Sequence, residues 1–395
     1  MSFNIAAICT MYYPLSHADV IVTRWLEPHR NDAYEGFVPT TQIASLYVAQ
    51  MPVGDPPPDT GFVVSPNARN PVTYDPRFDI SHAVAATYGV PQFATVREAL
   101  TLGGDALAVD GVLLIGEHGD YPQNEYDQKL YPRKELFDEI VAVFRASGRS
   151  VPVFVDKHLS WNMDWARAMV ATAHELGFAL MAGSSIPLAG PMHDLELPAA
   201  PDIRSSLGLF YVHPEVYGFH SLEFVQSVIE QRIGGEPGVR SLCVWQGEDV
   251  WAALDAGAIP QDLYAAALAA AIHVQPGDAR TNCRQSGVPP FAARLDHVDG
   301  HVSYHMLLHG HIQDFVVALR LRDDPRIRVS PVDFSMDETF VRTFAILDRE
   351  IQRLFTTNIS PVPLARTLFT TLATATWMHA LRQSGTTIVT PHLVL

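Results

Sequence analysis

Basic residues and cysteine are both scarce. The 395-residue chain carries 27 Lys and Arg against 43 Asp and Glu, a formal net charge of −16. No Lys/Arg-rich run interrupts that balance, so nucleic acid and anionic membrane are not expected partners. The cysteines, Cys9, Cys243 and Cys283, are odd in number and far apart. They offer no disulfide framework and no metal-type spacing, and fit reduced thiols in a cytoplasm. Long apolar runs are also missing. The best, 263–272, is alanine-rich and stops at His273, short of the roughly 18 residues of a membrane span. The opening MSFNIAAICTMYYP has no basic n-region, and its apolar run is too short for a signal peptide. G-x-S-x-G, H-E-x-x-H and P-loop signatures are absent, and Ser184 and Ser185 lack an adjacent base.

What is present is 48% hydrophobic and 18% charged, enough for two domains with full cores. The organising stretch is 109–161. Its apolar runs 112–115 and 151–155 end abruptly in Glu117, His118 and Asp120, and in Asp156, Lys157 and His158. Between them, 130–144 has helical spacing. Such a unit makes two parallel strands with the polar clusters at their carboxyl ends, the edge where open α/β sheets bind ligands.

Around it, strands at 4–10, 42–49 and 179–182 alternate with helices at 16–26, 80–88 and 164–176. Thr95 and Glu98 form a capping box. This predicts an α/β, Rossmann-like doubly wound parallel sheet over 1–190, with a proline-rich insertion at 51–79 holding seven prolines. Residues 187–201 look like a boundary. Over 191–395, strands at 207–212, 239–246, 292–295, 301–308 and 315–321, with helices at 220–233, 261–272, 341–354 and 363–384, predict an α+β domain on a large, mostly antiparallel sheet.

Several segments together resemble the Gfo/Idh/MocA (glucose–fructose oxidoreductase and inositol dehydrogenase) family. YGVPQFATVREAL and DGVLLIGEHGDYP are similar to its elements around the fourth strand. SVPVFVDKH resembles the strand bearing its E-K-P motif, and YGFHSLEFV its G-x-H-x-x-D helix start. The resemblance places Lys157 on the motif lysine and Gly218, His220 and Glu223 on the second motif. It implies a Rossmann-type domain, an open-faced sheet domain, substrate bound between them, homo-oligomers through the second sheet, and hydride transfer with NAD or NADP.

The chain departs from that pattern on the cofactor side. G-x-G-x-x-G lets backbone approach a pyrophosphate at a helix N-terminus. Here TMYYPLSHAD follows the first strand, with no glycine between Ala6 and Glu35. Tyr12, Tyr13 and Pro14 fill the space. The second strand ends at Gln50 instead of an acidic residue, and E-K-P has become D-K-H. NAD(P) is therefore expected less than a divalent metal ion.

For the metal, Asp156 and His158 share a face of an extended chain, and His220 and Glu223 a face of a helix. With Glu117 and His118 they supply imidazole and carboxylate from three elements. Lys157, His158, His220 and Glu117 are the catalytic candidates, while Tyr12, Tyr13, His118, Arg133, His309 and His311 are the candidates for substrate contact. Each pair also has a plainer reading as a cap, an ion pair or solvated loop. The expected function is an enzyme acting on a small polar, sugar-like or carbonyl-bearing metabolite at the interdomain cleft. Its chemistry would be metal- or acid/base-assisted hydrolysis, elimination or isomerisation. An NAD(P)-dependent oxidoreductase with an atypical phosphate loop is the alternative, and a non-catalytic binding or scaffold protein a third.

Overall fold

The computed structural model describes residues 3–27, 37–52, 78–191, 195–332 and 339–394, without the side chains of 339–342. Residues 53–77 of the proline-rich insertion lie outside them. Two compact units emerge. One comprises Met1–Pro122, Lys129–Leu188 and Ser335–Leu368; the other comprises Gln123–Gln128, Ala189–Phe334 and Phe369–Leu395.

The first unit is built on five parallel strands, β1 (Phe3–Cys9), β2 (Thr41–Val48), β3 (Gly111–Ile115), β4 (Val153–Asp156) and β5 (Leu180–Gly183), in the order β2-β1-β3-β4-β5. One π-helical turn (Asp19–Thr23) leads into α1 (Arg24–Leu26). It is followed by α2 (Ser81–Tyr88), α3 (Val96–Thr101), α4 (Arg133–Ser147), α5 (Met163–Leu176) and α6 (Ile186–Ala189). Val112, Leu114, Val153 and Val155 pack against Phe137, Ile140, Phe144, Met169 and Ala173 of α4 and α5. Full burial of each large side chain contributes about 1.5–3 kcal/mol, which is why these near-continuous apolar runs become central strands. Thr95 caps α3, its Oγ1 accepting from Glu98 N at 3.1 Å, and α5 ends at left-handed Gly177.

The second unit carries seven strands, β6 (Ile203–Phe210), β7 (Val239–Gln246), β8 (Phe291–His297), β9 (Val302–Leu307), β10 (Val316–Leu321), β11 (Ile327–Pro331) and β12 (Thr387–Val389), ordered β11-β10-β6-β9-β8-β7-β12. All pairs are antiparallel except β6 with β9. Its helices are α7 (Phe219–Ile229), α8 (Glu248–Asp255), α9 (Gln261–Ala270) and α10 (Ala279–Gln285). Of these, sequence periodicity had indicated α7 and α9 but not α8 and α10, which are too short to show a period. Finally, α11 (Thr339–Thr357) belongs to the first unit, and α12 (Leu364–Ala380) runs from the first into the second.

A Cβ on Gly208 of β6 would lie 2.7 Å from Ser221 Oγ and 2.8 Å from Val225 Cγ2, so α7 rests directly on that face. Arg320 of β10, paired in register with Ser205, forms an ion pair with Asp262 of α9 on the opposite face. Thus α7 and α9 lie on opposite faces of the sheet.

Candidate active site

In the first unit the strand order reverses between β1 and β3, the crevice where doubly wound sheets take ligands. Glu117 and His118 leave β3 there, and Asp156, Lys157 and His158 leave β4 one strand over. Lys157 adopts a left-handed backbone, φ 62°, and its carbonyl accepts from Gly183 N at 2.9 Å. A lysine in that conformation costs on the order of 1–3 kcal/mol, a strain typical of functional sites. The same turn ends the extended geometry, so Asp156 and His158 go to different partners and not to one shared ligand.

Lys157 Nζ lies 2.7 Å from Glu117 Oε1, and Arg133 Nη2 donates to Glu117 Oε2 at 2.8 Å. All three side chains are buried, Arg133 completely. Burial alone would raise the Glu117 carboxyl, but the Lys157 ammonium and Arg133 guanidinium overcome it and hold it below the usual carboxylate range. Gly116 makes room for this: a Cβ there would sit 2.7 Å from Arg133 Cγ. His158 lies 3.4 Å from Arg133 Nη1, and burial, reinforced by that guanidinium, pushes its imidazole well below the usual histidine value. Burial likewise pushes His118 down to about 3. Among the described residues its Nε2 is buried with no hydrogen-bond partner, and its ring meets Tyr13 and His17 edge-on at 5.1 and 5.3 Å.

Sequence reasoning missed His17. Its Nδ1 lies 2.6 Å from Asp156 Oδ2, and its ring stands on Phe344 at 5.0 Å. No periodicity marks it; the available signal was its place just after the first strand, opposite the edge that carries Asp156.

The turn after β1 is filled by the chain's own groups. Tyr12 is buried, its hydroxyl 2.7 Å from Thr23 Oγ1, and Tyr13 is buried beside His118. Ser16 Oγ accepts from Tyr13 N and Asp19 N, each at 3.2 Å, and Asp19 Oδ2 accepts from Leu15 N at 2.8 Å. Amides that a helix start would offer to an anion are thus taken up by side chains, one of them a carboxylate.

The remaining candidates belong to the second unit. His220 on α7 is buried, with Tyr217 edge-on at 5.5 Å, and Glu223 Oε1 accepts from Thr370 Oγ1 at 2.5 Å. His305, His309 and His311 do not form a row on a single strand. β9 stops at Leu307, the chain turns at Gly310 (φ 82°), and His311 N donates to Leu308 O at 3.2 Å. His311 meets the Asn282 amide at 3.1 Å, and His309 lies in the turn. His305 alone stays on the strand, bonded to Ser221 Oγ at 2.7 Å.

The expected divalent metal centre is also corrected. Among the described residues, no group of three or more His, Cys, Asp or Glu could hold a metal ion. Of the six residues named for it, Glu117 already faces two cations, Asp156 faces His17, and Glu223 faces Thr370. His118 and His158 stand beside Lys157 and Arg133, whose charges oppose a further cation. His220 lies in the other unit.

No protein-family model and no curated protein matches the sequence. Solved structures do match along nearly the whole chain. GenD2 from gentamicin A biosynthesis, in complex with NAD, is 13% identical with a TM-score of 0.57, over 98% of this chain and 96% of that one. A myo-inositol dehydrogenase from Corynebacterium glutamicum is 8% identical at 0.56, over 98% and 99%. A probable dehydrogenase from Thermotoga maritima is 11% identical at 0.58, over 99% and 100%. Two of these neighbours are named dehydrogenases and the third holds NAD, which overturns the expected hydrolase, lyase or isomerase and the preference for metal over nicotinamide cofactor. The chain has the fold of the Gfo/Idh/MocA-type inositol and sugar dehydrogenases.

Proposed function

We propose that the protein is an NAD(P)-dependent oxidoreductase with an atypical phosphate loop. Its substrate would be a small polar metabolite in which a hydroxyl and a carbonyl interconvert. The observation that carries this reading is Lys157, ion-paired to Glu117 at the carboxyl edge of β4, in a chain whose whole length follows a dehydrogenase fold.

The residues of the first βα turn do not fit a dinucleotide pyrophosphate laid on them in the usual way. Tyr12 and Tyr13 occupy the space, and Ser16 and Asp19 already cap the amides. Lys157 can donate a hydrogen bond to a substrate oxygen and hold or release a proton there. Glu117 fixes the ammonium by one oxygen while Arg133 anchors the other, so the lysine is positioned before substrate arrives.

Fluorescence titration with NADH and NADPH tests the reading. Saturable binding in the micromolar to millimolar range is expected, retained in Lys157→Met, together with dehydrogenase activity on a panel of polyols and hydroxy acids that Lys157→Met loses. No binding of either nucleotide at millimolar concentration would remove the proposal.

A further inference from the structure

We infer that His17 and Asp156 form a proton-transfer dyad at the carboxyl edge of the five-stranded sheet, with His17 Nε2 exchanging a proton with a hydroxyl of the bound metabolite. The inference rests on the oxidoreductase reading above, in which a substrate hydroxyl and carbonyl interconvert. It adds a second proton-handling group beside Lys157.

His17 follows β1 and Asp156 ends β4, with β3 between them, so the imidazole crosses the end of one strand to reach the next. Its Nδ1 lies 2.6 Å from Asp156 Oδ2. A carboxylate can only accept, so Nδ1 carries the hydrogen and Nε2 keeps a lone pair. The ring has little freedom, because it stands edge-on to His118 at 5.3 Å and to Phe344 at 5.0 Å. Asp156 is 2% exposed, whereas the His17 side chain is 12% exposed. Among the described residues its Nε2 takes no hydrogen bond and, unlike Nε2 of His118, it is not enclosed. The pair is thus buried at its acid end and open at its basic end, as an imidazole that works on a ligand must be.

The surrounding charges suit that role. His118, pushed down to about 3 by burial, stays neutral and does not compete for the proton. Glu117, the other carboxylate near His17, faces Lys157 and Arg133. Asp156 faces the imidazolium as it forms and acts as a positioning residue. The step is a proton transfer. The hydroxyl O–H bond breaks, its electron pair stays on oxygen, and the proton goes to Nε2; the reverse step returns it. Lys157, its ammonium fixed by Glu117, is the hydrogen-bond donor of the site.

The pH dependence of kcat and KM, measured on a polyol or hydroxy acid that the parent chain oxidises, tests the dyad. Oxidation should slow in acid as Nε2 becomes protonated. His17→Asn should lower kcat by about 10²–10⁴-fold, the range for general acid–base catalysis, and lose the acid limb with NADH binding unchanged. Asp156→Asn should move that limb as well, which loss of a merely structural contact would not do. A parent chain that binds neither nucleotide sinks the oxidoreductase reading. One that binds and turns over, while His17→Asn keeps kcat or the acid limb, sinks the dyad. Nitrogen NMR of the full chain, ring-labelled at histidine, decides the tautomer without any substrate. The His17 signals, assigned by their loss in His17→Asn, or by their shift in Asp156→Asn should that variant not fold, are expected to show a protonated Nδ1 and a bare Nε2 above neutral pH. The opposite tautomer overturns the inference.

Discussion

Lys157 and Glu117 come from different strands, yet their charged atoms lie 2.7 Å apart with both side chains almost wholly buried. Removing one partner from such a pair leaves an uncompensated buried charge. Glu117→Gln, which keeps the shape and strands both Lys157 and Arg133, should lower the unfolding free energy by about 3–5 kcal/mol in urea melts. A loss below about 1 kcal/mol would mean the site is wetter than the structure shows.

Stability should also fall with acid, beginning near pH 6.5. Burial pushes His118, His301 and His305 down to about 3 in the folded protein. Unfolded imidazoles titrate near 6.5, so between about pH 6.5 and 3 the unfolded chain binds more protons. The contribution is complete above about 6.5 and is lost as pH falls through that window, at up to about 1.4 kcal/mol per pH unit for each group. Glu117, held low by Lys157 and Arg133 against burial, adds a further loss below the unfolded carboxyl value of about 4.3. Urea melts from pH 7.5 to 5.0 measure the slope, which His305→Asn should reduce; a flat profile contradicts the burial of all three rings.

His17 and Asp156 should couple. Their 2.6 Å contact joins the turn after β1 to the end of β4. A double-mutant cycle with His17→Ala and Asp156→Ala is expected to give about 1.5–3 kcal/mol, the range for hydrogen bonds to charged groups. Additivity within about 0.5 kcal/mol would show that the pair is not formed in solution.

Gly208→Ala should loosen α7. The added Cβ would meet Ser221 Oγ at 2.7 Å and Val225 Cγ2 at 2.8 Å, and both belong to the helix packed on the strand. Overpacking of this kind costs about 1–3 kcal/mol. Thermal melts compare the two proteins, and an unchanged midpoint would place α7 farther from β6.

Much of the first sheet was legible because parallel strands buried on both faces leave uninterrupted apolar runs, as 112–115 and 151–155 do. The same logic located Glu117 and Lys157, since a run that stops in ionisable residues marks a strand end. It did not reveal how they pair. Lys157 turns left-handed, and a period-2 count cannot survive that turn, so Asp156 and His158 were assigned a common face that they do not have. His17 escaped because its partner is 139 residues away in the chain. In the second unit the strand read at 301–308 stops at Leu307, and the turn at Gly310 carries His309 and His311 off the sheet. The parallel β6–β9 pair was invisible for a related reason: nothing local in either strand records the direction of its neighbour.

The first unit is threaded late. A Cβ on Gly111 of β3 would lie 2.7 Å from the Phe355 ring, and Gln352 Oε1 accepts from Thr40 N at 2.6 Å. A ribosome making this chain releases all five parallel strands, and then every strand of the other sheet but β12, before α11 emerges to close against them. The nascent first sheet must therefore wait unfinished, with the space beside Gly111 empty, and a protein truncated after residue 330 would lack its last wall. Neither unit can be lifted out by a single cut in the gene.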